Sequence, residues 1–195
     1  MKLRNLSIAL ILASAITSSA FAQDKPAKDF GKVNFGASIQ EVKSIERNNK
    51  LTFSSDDELI YSQNSAGTNS QSMYSFDNGK LTGALNNIVT NHEKLTQYFT
   101  DFAQVDNYYK EIYGEPSQEI ITTDDEAILN NPEKLCDAIK SGEVMCCTIW
   151  HKDKYTITHI LSDKLPLDEM DEDVAQALLP SKMAHFILGE INQDE

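Results

Sequence analysis

The stretch Tyr74-Ser75-Phe76-Asp77-Asn78-Gly79-Lys80-Leu81-Thr82-Gly83-Ala84-Leu85 decides the fold of this chain. Tyr74 and Phe76 alternate with Ser75 before the Asp77–Lys80 turn, and Leu81, Gly83 and Leu85 alternate beyond it. Asn-Gly between two alternating runs is a strong hairpin signal, because both central residues of the favoured tight turn need positive φ. Period-two alternation puts Tyr74, Phe76, Leu81 and Leu85 on one face, with Ser75 and Thr82 on the other. An antiparallel sheet with one buried face then packs its aromatic side under helices and turns its Ser/Thr side outward.

Upstream, Ser38-Ile39-Gln40-Glu41 fits a capping box, in which Ser38 accepts from the Glu41 amide and Glu41 reaches back. Ile39, Val42 and Ile45 follow on one helical face, and residues 59–66 alternate weakly as a strand. Downstream, a helix is expected from Asn91 as N-cap. Its apolar stripe is Leu95, Tyr98, Phe102, Val105, Tyr109 and Ile112, and Gly114 closes it. Glu119–Thr123 reads as a strand. Asn131-Pro132 opens a short helix that ends by Gly142.

Met145–Trp150 and Tyr155–Leu161 form a second expected hairpin around His151–Lys154. A four-residue turn sets Trp150 opposite Tyr155 and Cys146 opposite His159. It also gathers Cys146, Trp150, Tyr155, Ile157 and His159 on one face, with Thr156 and Thr158 on the other. Leu167, Met170, Val174 and Leu178 have helical spacing, Pro180 ends that run, and Met183–Ile191 reads as a final strand. The fold class expected is α+β: an antiparallel sheet built from two helix-plus-hairpin units, about 33–90 and 91–162, with the helices on one face. A C-terminal extension, 163–195, completes a single domain over 33–195.

Residues 1–22 carry the zones of a cleavable signal peptide: Lys2 and Arg4, an apolar run from Leu6 to Ile16, then Ala20-Phe21-Ala22. The apolar run is short of the ~20 residues a membrane span needs. The expected location is periplasmic or secreted, with no stable membrane insertion after cleavage. Residues 23–32 read as a flexible leader. The chain holds 17 Lys and Arg against 30 Asp and Glu. Cleavage removes Lys2 and Arg4 and no acid, leaving 15 against 30, a net charge of −15. Such a surface repels nucleic acid and anionic lipid and suits a basic partner.

Export also places Cys136, Cys146 and Cys147 where disulfides persist. Neighbouring Cys146 and Cys147 are poorly placed to bond each other, so Cys136 pairs with one of them. Cys146 is the partner if the short helix docks on the aromatic face, and Cys147 is the alternative.

Phe35-Gly36-Ala37-Ser38-Ile39-Gln40-Glu41-Val42 together with Tyr74–Leu81 resembles the helix opening and first hairpin of the BamE/SmpA-like small envelope proteins. The doubled arrangement is similar to the β-lactamase-inhibitor-protein architecture. The likeness covers 33–162. It implies a scaffold used for binding, not a catalytic site.

Candidate chemistry is sparse. Cys146 and His159 on one face raise an imidazole-activated thiol or half a metal site, and a structural cysteine beside a packed histidine is the plainer reading. His92, His151 and His185 show no close ligand spacing. Asp168–Asp173 lacks the glycine of a calcium loop, and Asp124-Asp125-Glu126 reads as a solvated loop. No cofactor or metal is expected, and no catalytic residue is assigned. The function expected is an exported protein-binding module, in its specific form an inhibitor or immunity protein against a secreted hydrolase. Ser75, Thr82, Thr156 and Thr158 on the outward faces are the candidate partner-binding residues. A small envelope hydrolase or thiol enzyme is the alternative.

Overall fold

The Asn-Gly turn forms as read, and the strands beyond it depart from simple alternation. The computed structural model describes residues 28–65, 67–165, 170, 172–178 and 183–192. Strands β3 (Thr68–Asp77) and β4 (Lys80–Ile88) are joined by Asn78 at φ 50° and Gly79 at φ 73°. Two positive φ angles give the turn whose twist matches that of the flanking strands. Asp77 pairs with Lys80 and Phe76 with Leu81, but Ser75 then pairs with Gly83. Thr82 is therefore an extra residue, a bulge that exchanges the two faces of β4 beyond it. Tyr74 pairs with Ala84 on one face; Met73 pairs with Leu85 on the other. This corrects the expectation that Leu85 shares a face with Tyr74, Phe76 and Leu81.

Around this hairpin, β1 (Lys50–Ser54), β2 (Glu58–Ser65), β5 (Gln118–Ile121), β6 (Cys146–His151), β7 (Tyr155–Ser162) and β8 (Ala184–Ile191) complete an open sheet of eight strands. The order is β1-β2-β3-β4-β8-β7-β6-β5, and every pairing is antiparallel. The expected α+β class with an antiparallel sheet holds. β8, expected as a strand of an extension, lies at the centre and joins β4 to β7.

In the second hairpin Trp150 pairs with Ile157, His151 with Thr156 and Cys146 with Leu161. The Lys152 amide donates to the Tyr155 carbonyl at 2.9 Å, which tightens the connection. The register differs by two residues from the one expected. An even shift leaves every side chain on its anticipated face while changing its partner. Thr148, not Cys146, therefore sits opposite His159.

Among the described residues five helices accompany the sheet: α1 (Ile39–Ile45), α2 (Thr96–Tyr113), α3 (Glu126–Leu129), α4 (Pro132–Lys140) and α5 (Glu172–Ala177). α1 opens with both bonds of the Ser38–Glu41 capping box. Its far end is tied to β3, where the Tyr74 hydroxyl donates to Glu46 Oε1 at 2.7 Å. α2 begins at Thr96 after Leu95 as N-cap, four residues later than expected. The Tyr98 hydroxyl donates to the Thr90 carbonyl at 3.0 Å, and His92 meets Asp101 at 2.7 Å, so residues 91–95 fold back against the helix instead of starting it. Asn131 caps α4 through the Glu133 and Lys134 amides, with Pro132 at the first position. α3 was not anticipated; Asp125 caps it through the Ala127 amide at 2.8 Å, which places this acid at a helix start.

The first face of the sheet carries Val42 of α1 and Val105, Tyr109 and Tyr113 of α2 over Leu59, Tyr61, Tyr74, Trp150, Ile157 and Ile187. Leu135 and Ile139 of α4 join Tyr98, Cys146 and Leu161 on the same side. The second face packs Val174 and Leu178 against Ile60, Met73, Leu85 and Phe186. Helices thus lie on both faces, correcting the one-sided arrangement expected, because the bulge at Thr82 turns Leu85 toward α5.

Residues 1–27, with the signal peptide and the start of the leader, lie outside the described residues, as does Leu167. Of the described part of the expected leader, Lys28 and Lys32 are exposed and Phe30 is buried. Phe30 is 3 % exposed, bridges to Val33 and seats on Gly189, where an added Cβ would come within 2.4 Å of its ring. Among the described residues no helix is long and apolar enough to cross a membrane.

Candidate functional site

One row of side chains crosses six strands beneath α2. Following the register from β2 to β6, it reads Tyr61, Ser72, Asn86, Ile187, His159, Thr148. A sheet row under a helix is normally apolar, because buried polar groups must all find partners. Here Asp106 reaches down from α2. His159 Nδ1 lies 2.6 Å from Asp106 Oδ1, and the Thr148 hydroxyl donates to Oδ2 at 2.9 Å. One carboxylate therefore serves two strands.

His159 Nε2 lies 2.7 Å from His185 Nε2. Both imidazoles are buried, at 0 % and 1 % exposed. The Phe102 ring stacks on His159 with centroids 4.1 Å apart and planes 14° from parallel. His185 Nδ1 is buried with no hydrogen-bond partner among the described residues. Burial pushes His159 below the ordinary histidine range, partly offset by the Asp106 bond. Burial holds His185 well below it, and the neighbouring His159 and His92 add to the effect. The cluster sits under a helix and reads as a polar core in which the imidazoles stay neutral.

The thiols show no nucleophilic character. Cys136, Cys146 and Cys147 are free and buried. Burial pushes Cys146 up to about 12, with the charges of Cys147, Asp106 and Cys136 adding to it. Burial likewise raises Cys136 to about 11, helped by Asp137 and Glu133, and Cys147 to about 11, helped by Asp106. A thiol needs an electropositive, accessible setting to become a thiolate at neutral pH. Cys146 faces α4 in the cluster of Leu135 and Ile139, while Cys147 pairs with Ile160 on the second face.

Of the four candidate contact residues, Ser75 and Thr156 fall on one cross-strand row of the second face. That row reads Glu58, Ser75, Gly83, Glu190, Thr156, His151. It is half-buried through Glu58, Ser75, Gly83 and Thr156, and exposed at Glu190 and His151. The Thr156 hydroxyl donates to Asn192 Oδ1 at 2.8 Å. Thr158 lies one row away, beside Ile149 and Leu188. Thr82 occupies the bulge and donates to the Ser75 carbonyl at 3.4 Å.

Sequence reasoning placed His159 on the inner face but missed Asp106, His185 and Phe102 around it. No local spacing links residues 106, 159 and 185; only the central position of β8 brings the two histidines together. Half of the acidic run 168–173 lies outside the described residues. Among the described residues no group of three His, Cys, Asp or Glu side chains could hold a metal ion. The chain matches no family model, no curated protein and no solved structure.

Proposed function

We propose that this protein is an exported binding module that recognises another envelope or secreted protein through the second face of its sheet. The observation that carries the reading is the row Glu58, Ser75, Gly83, Glu190, Thr156, His151, a run of short side chains between two carboxylates on a partly open sheet face. Short side chains let a partner approach the sheet closely, and the carboxylates favour a basic one. Complementary charge of this kind mainly raises the rate of encounter. An inhibitor or immunity protein against a secreted hydrolase is the specific form. Two helix-led units, 33–90 and 91–162, related to the envelope scaffolds that the sequence resembles, belong to the same reading. So does a Cys136–Cys146 bridge formed after export, with Cys147 as the alternative partner.

The test is capture from envelope extract with the wild-type protein and with Ser75→Arg/Thr156→Arg. A partner retained by the first and lost by the second supports the reading, provided the variant melts at the wild-type temperature. Equal retention by both sinks it. N-terminal sequencing of the envelope fraction is expected to begin at Gln23, and intact Met1 in the cytosol would overturn export. Non-reducing peptide mapping of the same material is expected to join Cys136 to Cys146; three alkylatable thiols would remove the bridge.

A further inference from the structure

Two imidazoles that meet through Nε2 can share only one proton, and beneath α2 they meet where there is no room for another. We propose that Asp106, His159 and His185 form an acid-sensitive latch that fastens α2 to the sheet and weakens as the pH falls from neutral to about 5.5.

The tautomers follow from the contacts. Both Asp106 oxygens are engaged, one by His159 Nδ1 and the other by the Thr148 hydroxyl. A carboxylate only accepts, so His159 carries its proton on Nδ1. Its Nε2 is then a bare acceptor, and His185 must donate from its own Nε2 across the 2.7 Å contact. His185 Nδ1 is left as a bare lone pair, which agrees with its having no partner.

A further proton has three places to go. On His185 Nδ1 it creates a buried N–H with no acceptor. On His159 Nε2 it forces His185 to move its proton to Nδ1, which produces the same orphan donor. With both rings fully protonated, two N–H groups oppose each other across the sheet. A buried donor without an acceptor loses its hydration and gains nothing in return. In the unfolded chain the same rings protonate freely near pH 6.5.

The sign follows from proton counting. Both folded values are lowered, so below about 6.5 the unfolded state binds more protons than the folded one. The stabilisation is complete above that pH and is lost as the pH falls toward the folded values. Among the described residues Asp106 is the carboxylate bonded to the imidazole pair. α2 also brings Asp101, engaged with His92 at 2.7 Å, and the stacked Phe102. β6 brings Thr148 and Cys146, which carry no charge at these pH values, while Cys147 faces the other side of the sheet. α4 brings Leu135, Ile139 and Cys136, all uncharged.

The experiment is thermal unfolding at pH 7.5 and 5.5 of the wild type, His185→Gln and His151→Gln. The glutamine amide at position 185 can donate to His159 when that ring is neutral and, turned over, accept from it when protonated. The wild type is expected to lose about 3–8 °C across this interval, at 2–4 °C per kcal/mol for a chain of this size. His151→Gln, changed at the exposed end of β6, keeps that loss; His185→Gln loses less than half of it. Equal losses in all three proteins overturn the latch. Should His185→Gln fail to fold, long-range nitrogen–proton NMR of the wild type decides. Nδ1–H on His159 and Nε2–H on His185 at pH 7.5 are expected. The opposite tautomers, or ordinary titration of His185 near pH 6.5, overturn the proposal.

Discussion

From Val105 to Tyr113, α2 lies on Trp150 and Ile157, with Tyr109 and Tyr113 stacked on each other at 5.6 Å and both tilted against the indole. From Phe102 to Asp106, the same helix lies on His159 and His185. The first region is held by area: Trp150 is fully buried, and its Nε1–H is satisfied by the Gly114 carbonyl at 2.8 Å. The second is held by hydrogen bonds that must all be present together. Two kinds of core thus lie under one apolar stripe, one built on packed area and one on a connected set of hydrogen bonds.

The sharpest attack on the aromatic region is Trp150→Ala. Removing the indole leaves a cavity and an unpaired Gly114 carbonyl, and is expected to cost about 3–5 kcal/mol by urea titration. The loss should be nearly the same at pH 7.5 and 5.5, since no titrating group is touched; a strongly pH-dependent loss would erase the distinction between the regions.

Asp106→Ala attacks the other region. It strands the His159 Nδ1–H and the Thr148 hydroxyl and is expected to cost about 2–3 kcal/mol at neutral pH. The carboxylate raises His159 against the downward pull of burial, so its loss lowers the folded value further. The deficit relative to wild type should therefore widen below about pH 6.5. A deficit that narrows on acidification would contradict the proton count.

Gly189→Ala tests the edge of the aromatic region, where a Cβ would sit 2.4 Å from the Phe30 ring and 3.0 Å from Ile157. Overpacking of this kind costs about 1–3 kcal/mol. Pairing it with Phe30→Ala should recover part of the loss, and strict additivity would mean that the Phe30 strap moves aside freely. The smallest effect is expected for Phe102→Leu, which removes the stacked ring over His159 at about 0.5–1.5 kcal/mol, read from the shift in urea midpoint.

The features legible in the sequence are those written in neighbouring residues. Asn78-Gly79 needs positive φ at both positions, Ser38 and Glu41 cap each other three residues apart, and Asn131-Pro132 opens α4. The faces of the second hairpin survived a register shift because the shift was even. The first hairpin was less forgiving: one bulged residue, Thr82, sent Leu85 to the other side, and nothing in local alternation marks a bulge. The burial of Phe30 was hidden in a polar segment that reads as leader. The histidine cluster was hidden more deeply, since residues 106, 159 and 185 meet only through long-range pairing of β8.

The central place of β8 also sets an order of assembly. β1–β4 form one run of antiparallel neighbours and β5–β7 another, and neither run pairs with the other directly. During synthesis, at ~5–20 residues per second, both half-sheets precede the strand that unites them. Until residues 184–191 emerge, β4 and β7 each show an unsatisfied edge, the kind of ladder that recruits foreign strands. Pulsed hydrogen exchange during refolding should find the inner amides of β4 and β7 protected last, together with β8.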